Sequence, residues 1–286
     1  MQKILPSASS SLQENLSHDT SRTSGPLPSN TSRPVQHIGT QDAYDQWASV
    51  YDSDGNMLQS VDDDELNTHL PSILNRVIQC SRANISILDL GCGTGRNTAR
   101  LISHAWPSDI RVCVTGLDFS AGMLRIAHTK LADLTNTGAQ VSLRLEQCDP
   151  FPATADFIPS TVNLTPQDFV ISTLVLEHIP LATYFSTLST LLVPGGIALV
   201  TNMHSEMGSR SQAGFVNAQG VKVRGESFVY SLAETVAEAK KSGFEIVEAH
   251  ERSIKQTDID TGVVGSRGGK WIGCKVWYGL VLRKEA

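Results

Sequence analysis

No stretch of this 286-residue chain is apolar for long enough to cross a membrane. Its first residues lack the apolar segment and small-residue cleavage site of a secretory signal. Cys-x-x-Cys pairs are missing. The five cysteines, Cys80, Cys92, Cys113, Cys148 and Cys274, are scattered and odd in number. That pattern argues against a disulfide frame and a zinc site, and for reduced thiols in a cytoplasmic protein; no metal is expected. An excess of positive charge is also missing. The formal net charge is −6, which gives no support to nucleic-acid binding, because such proteins carry a basic footprint. Tandem repeats are absent, and aromatic residues make up only 6%. What is present is a 40% hydrophobic content, ordinary for a globular domain with a core.

Residues 1–39 are rich in Ser, Thr, Pro, Asn and Gln without hydrophobic period. Such a segment cannot bury enough surface to offset the entropy of ordering, so it reads as a disordered tail. Tyr44, Trp47, Ala48 and Tyr51 then recur at helical spacing and share one face. The run Asp62-Asp63-Asp64-Glu65 precedes an apolar helical stripe from Leu66 to Ile78 and reads as the solvated first turn of a helix, where carboxylates suit the dipole.

The chain is organised around Ile87-Leu88-Asp89-Leu90-Gly91-Cys92-Gly93-Thr94-Gly95-Arg96. An apolar strand runs into glycines at alternate positions and then into a helix. Glycine accepts positive φ and lets backbone approach a ligand closely, and a helix start favours an anionic group. The dinucleotide fingerprint needs a third small residue one position later, where this chain has Arg96; a nicotinamide oxidoreductase is disfavoured on that ground. A second strand ends at Asp118, a carboxylate placed to accept both hydroxyls of a ribose. Ser120 is the expected N-cap of the helix that follows. A third strand, Val141–Leu145, ends before Asp149, and the proline-rich run to Gln167 reads as a long loop. A fourth strand starts at Asp168. Pro194-Gly195-Gly196 reads as a turn before the fifth. Two further strands follow, separated by a polar, glycine-rich segment, 255–270, that reads as a flexible loop. Alternating strands and helices predict a three-layer, Rossmann-like α/β sandwich with a mainly parallel seven-stranded sheet, spanning 81–286, with 40–80 as an N-terminal helical lid.

The glycine turn, the Asp118-x-Ser-x-x-Met-Leu pattern, the Asp168 strand and the Tyr44-Asp45-x-x-Ala48-x-x-Tyr51-Asp52 segment together resemble the class I S-adenosylmethionine-dependent methyltransferases of small-molecule type. The resemblance covers about residues 42–282. It implies S-adenosylmethionine as cofactor and S-adenosylhomocysteine as product. It implies that Asp89, Gly91, Cys92, Gly93 and Gly95 form the turn around the methionine end, bordered by Thr173 and Leu174, and that Phe119, Met123, Asp149 and Phe151 surround the adenine. Met123 is equally readable as core, since Met fills gaps well. Tyr44 and Tyr51 are expected to approach cofactor and substrate. His178, His204, Tyr44 and Tyr51 are the expected candidates for a base, with His178, Tyr51 and Tyr44 foremost. The expected partner is a small organic acceptor, methylated at N, O, S or C within secondary metabolism, by a monomer or homodimer. A protein or peptide methyltransferase, using 203–230 and 255–270 as a groove, and a non-catalytic S-adenosylmethionine-binding module are the competing readings.

Overall fold

The computed structural model describes residues 35–80, 83–134, 140–152, 163–212, 214–217 and 219–286. The expected disordered tail lies outside them up to residue 34, and so does most of the expected loop before Gln167. Within the expected tail, β1 (Val35–His37) pairs in parallel with β8 (Lys222–Arg224), which also pairs with β7 (Phe215–Val216).

The main sheet has the order β4-β3-β2-β5-β6-β10-β9, formed by β2 (Asn84–Leu90), β3 (Arg111–Asp118), β4 (Val141–Gln147), β5 (Gln167–Thr173), β6 (Leu192–Met203), β9 (Phe244–Ser253) and β10 (Lys275–Lys284). It is parallel except for β10, which runs antiparallel to both β6 and β9. The central strands are apolar at successive positions because both faces are covered. Ile85, Ile87, Val112, Val114, Phe169 and Ile171 meet one helical layer. There α2 (Met57–Cys80) supplies Leu66, Leu70, Ile73 and Leu74, and α3 (Arg96–Ile102) supplies Leu101. Leu88, Leu90, Leu117, Val170 and Val200 meet the other layer, Tyr184, Phe185 and Leu188 of α5 (Leu181–Leu191) and Ala239 of α7 (Leu232–Lys241).

Three sequence expectations fail for identifiable reasons. The acidic run does not open its helix. Asn56 accepts the Leu58 amide with its side chain, 3.1 Å, and α2 starts at Met57 because Met57, Leu58 and Val61 already have an apolar cluster to enter. Asp62 is therefore buried in mid-helix rather than solvated. Its Oδ1 accepts from Thr201 Oγ1 at 2.6 Å and Trp277 Nε1 at 2.8 Å, and its Oδ2 from Arg96 Nη2 at 2.7 Å. Arg96 and Arg100 both reach Asp63, at 2.6 and 2.7 Å. Accordingly only the first part of the expected 40–80 lid, α1 (Thr40–Trp47) and the turns to Tyr51, overlies a cavity; α2 belongs to the core layer. Second, Pro194-Gly195-Gly196 lies inside β6, which shifts register against β5 between Gln167 and Phe169. The irregularity absorbs the residues that composition assigns to a turn. Third, 255–270 folds into α8 (Gln256–Asp260) and a 3-10 turn, Ser266–Trp271, anchored by buried Val264 and Trp271.

β2 leads outward to β3 and β4, while β5 and β6 lie on its other side. The strand order therefore reverses between β2 and β5, the position where open α/β sheets leave a crevice at their carboxyl ends.

Candidate active site

A cavity of about 540 Å³ occupies that crevice, a size typical of small-molecule sites. Gly91 and Gly93 form its floor with Asp118, Phe119 and Met123; Asp149 and Phe151 line it after β4; Thr173, Leu174 and His178 follow β5; Tyr44 and Tyr51 line it from the N-terminal segment.

The glycine turn is fixed by hydrogen bonds to β3. The Gly91 and Cys92 amides donate to the Leu117 carbonyl at 2.8 and 2.9 Å. The Gly93 amide donates to Asp118 Oδ2 at 2.8 Å, and the Ser120 amide to Asp118 Oδ1 at 2.8 Å. Asp118 is thus held at the cavity edge in one orientation. Burial raises its pKa to about 6, against the opposing backbone hydrogen bonds. Ser120 caps α4 (Ala121–Leu131), its Oγ accepting from the Met123 amide at 3.0 Å. Gly93 has φ +54°, and a Cβ there would meet nothing within 4 Å; at Gly91, φ +77°, it would stand 2.4 Å from Val175 Cγ2. One glycine keeps the cavity open, while the other lets the β5 loop close on the turn.

Three of the expected cofactor residues do not line the cavity. Asp89 turns into the protein and accepts from Thr98 Oγ1 at 2.6 Å, tying β2 to α3; burial raises it to about 6. Cys92 is buried against the space that a side chain at Gly116 would fill, 3.0 Å from its Sγ. Gly95, φ +78°, starts α3, and a Cβ there would press to 2.9 Å from Leu131 Cδ1. It is the glycine that packs one helix on another. His204 is also removed from the candidate bases. It caps α6 (Ser205–Gly208), accepting the Glu206 amide on Nδ1 at 3.1 Å, while Nε2 faces Glu251 Oε1 at 2.9 Å.

His178 and Tyr44 come together although 134 residues separate them. His178 Nδ1 lies 2.7 Å from the Glu226 carbonyl, which can only accept, so Nδ1 carries the proton. Nε2 then holds a free lone pair, and Tyr44 Oη donates to it at 2.8 Å. Burial lowers the His178 pKa and raises those of Tyr44 and Tyr51. Near neutral pH the pair is therefore an uncharged imidazole with a basic nitrogen and an intact phenol.

The aspartates of the Tyr-Asp repeat are anchors that the periodicity did not reveal. Asp45 Oδ1 accepts from Ser120 Oγ at 2.6 Å and the Gly122 amide at 2.7 Å. Asp52 accepts from Thr94 Oγ1 at 2.7 Å and Lys130 Nζ at 2.6 Å. Asp45 fastens the N-terminal segment to the start of α4, and Asp52 fastens it to the turn before α3 and to the last turn of α4. Segment 225–230 supplies Glu226 and Phe228 to the wall. Asp149 is exposed, and its Oδ1 accepts the Phe151 amide at 2.9 Å. The Phe151 ring is stacked on Tyr184. Among the described residues, one trio of metal-capable side chains gathers, His69, Glu248 and His250; none lines the cavity, and Arg76 is paired with Glu248.

Residues 87–196 match the family described as "Methyltransferase domain". An uncharacterized methyltransferase of Emericella nidulans, AN0656, is 37% identical over 265 residues, 86% of this chain and 91% of the relative. Among solved structures, an S-adenosylmethionine-dependent methyltransferase from Mesorhizobium loti aligns with TM-score 0.50 at 18% identity, covering 73% of this chain and 96% of its own. The [4+2]-cyclase SpnF aligns with TM-score 0.55 at 16% identity over 89% and 98%. Geranyl diphosphate C-methyltransferase from Streptomyces coelicolor aligns at 0.53 and 13% identity over 77% and 80%. At these identities the structural likeness establishes the fold alone.

Proposed function

The chain belongs to the class I S-adenosylmethionine-dependent methyltransferases, and on that premise we propose that it methylates a small organic acceptor held between the donor and the His178–Tyr44 pair. The observation that carries this reading is the cavity-facing pair itself, a basic imidazole nitrogen with a phenol at 2.8 Å.

The cavity suits the donor: it has room beside Gly93, a fixed carboxylate at Asp118, and apolar surface at Phe119, Met123 and Phe151. When bound, S-adenosylmethionine supplies a methyl group already activated on a sulfonium. In this reading Asp118 accepts from the ribose hydroxyls and Asp149 from the adenine amino group. Phe119, Met123 and Phe151 flank the ring, and Gly91, Gly93, Thr173 and Leu174 border the methionine end. The protein's contribution is then mostly alignment, worth about 7–11 kcal/mol at best. Where the acceptor nucleophile carries a proton, Tyr44 Oη takes it while passing its own proton to His178 Nε2, which ends as imidazolium; a positioned base contributes about 10²- to 10⁴-fold. A small acceptor fits the net charge of −6. The peptide-groove reading loses a wall, because 255–270 is folded onto the buried cluster around Trp271. Secondary metabolism and a cytoplasmic setting remain part of the proposal; the five free thiols suit the latter.

The test is incubation with isotope-labelled donor and cell extract, followed by mass spectrometry for a gain of one methyl group. Label in the metabolite fraction supports the reading, and label confined to protein refutes it. His178→Ala is expected to keep S-adenosylhomocysteine affinity and lose at least about 100-fold in turnover; unchanged turnover removes His178 as the base.

A further inference from the structure

Behind Tyr44, Tyr51 and Leu174, which it shares with the main cavity, lies a second chamber of about 110 Å³. At about 30 Å³ per molecule this is the room of three or four waters, enough for one end of a ligand. Two features of its lining point to a ligand. The first is Glu177, only 3% exposed. Its Oε2 has no hydrogen-bond partner, and its Oε1 stands 3.5 Å from His178 Nε2. A buried carboxyl oxygen without a donor is costly, and a site that keeps one calls for an explanation. The second is a trio of touching rings. Trp47 and Tyr51 are 5.0 Å apart edge to face, Tyr44 and Trp47 5.7 Å, and Tyr44 and Tyr51 6.0 Å. Aromatic faces attract a desolvated cation through their quadrupoles.

We propose that this chamber binds the protonated amine of the methyl acceptor, with Glu177 as counter-ion and Tyr44, Trp47 and Tyr51 as the cage around it. The inference rests on the reading of the main cavity as the donor site, and it names the acceptor class: a small molecule bearing an aliphatic ammonium group. Among the described residues no cationic side chain lines the chamber, so the countercharge has to arrive with the ligand. The titratable groups facing Glu177 are His178 on its own turn, Tyr44 and Tyr51 from the N-terminal segment, and Tyr278 from β10. Burial keeps all four neutral near pH 7. Burial also raises Glu177 to about 8, so the empty chamber holds mostly a carboxylic acid, and an entering cation drives its proton off.

The test is calorimetry on protein saturated with S-adenosylhomocysteine, using trimethylammonium as probe and tert-butanol as its neutral analogue. Trimethylammonium is expected to bind saturably and to release protons near pH 7, seen as a heat that changes with the buffer's ionisation enthalpy. Tert-butanol is expected not to compete. Glu177→Gln is expected to weaken the cation about 10- to 100-fold with unchanged S-adenosylhomocysteine affinity. Equal affinity for both probes, no proton release from the wild type, no cation binding, or a Glu177→Gln protein that binds the cation as tightly each overturns the proposal. Failure of S-adenosylhomocysteine to bind is seen separately, in its own titration, and overturns the donor reading on which the proposal stands.

Discussion

Removing the Asp62 carboxylate is expected to unfasten the structure beneath the cleft. Asp62 is fully buried and serves three donors on three elements: Arg96 on α3, Thr201 on β6 and Trp277 on β10. In Asp62→Ala the Thr201 hydroxyl and Trp277 N–H lose their partner, at about 1–3 kcal/mol for each group left unsatisfied. Arg96 keeps Asp63, which moderates the electrostatic part. Because the contributions share one carboxylate they are not additive, and the expected loss is about 3–5 kcal/mol, the range for breaking a buried ion pair from one side. For a domain of this size that is roughly a 6–20 °C fall in Tm, at about 2–4 °C per kcal/mol. Urea unfolding of Asp62→Ala, Asp62→Leu, Arg96→Met and the Asp62→Leu/Arg96→Met double variant measures it. The double variant is expected to be less destabilised than the sum of its singles, since it leaves no unpaired buried charge. A loss below about 1 kcal/mol in Asp62→Ala would refute the assignment of Asp62 as the structural tie.

Three further outcomes are expected. Asp118→Ala should weaken S-adenosylhomocysteine about 100-fold by calorimetry, the worth of roughly 3 kcal/mol of lost charge-assisted hydrogen bonds; unchanged affinity would sink the ribose assignment. Gly91→Ala should lose about 2–5 kcal/mol in unfolding experiments, from its φ of +77° and the Val175 contact. Gly93→Ala, which meets nothing, should lose only about 1–2 kcal/mol while losing donor binding; equal destabilisation of the two would be wrong for this geometry. The buried acids set the pH dependence. Glu177 is raised from 4.5 to about 8, and Asp89 and Asp118 from 3.8 to about 6. For a raised carboxyl, the stability it contributes is present below its unfolded value and is lost as pH climbs through the folded one. Stability should therefore fall by a few kcal/mol between about pH 4 and 9, and Glu177→Gln should flatten the part above about pH 6; an identical slope in that variant would contradict it.

The strand tips were legible because each central strand is apolar on both faces and ends at a residue type with a chemical use. Asp118, Asp149 and Thr173 could be placed at one sheet edge without coordinates. Asp89 was misread because strand alternation turns its side chain toward α3, while the motif shows only that it stands near the glycines. Asp62 was misread because its partners lie 34, 139 and 215 residues away, beyond any local pattern. The 255–270 segment is polar on average, and averages hide the two residues, Val264 and Trp271, that fasten it. Glu177 attracted no notice beside His178, since a single acid after an apolar strand carries no sign of its burial.

The small sheet of β1, β7 and β8 has a mechanical consequence. Ile38 donates to the Arg224 carbonyl, the Glu226 amide donates to Thr40 Oγ1, and Glu226 in turn receives the His178 imidazole. Chain regions 186 positions apart are thereby tied together beside the cavity, to whose wall both Thr40 and Glu226 contribute. The fixed direction of the His178 ring therefore depends on a carbonyl 48 residues away, and anything that displaces segment 225–230 from Thr40 loosens that ring as well.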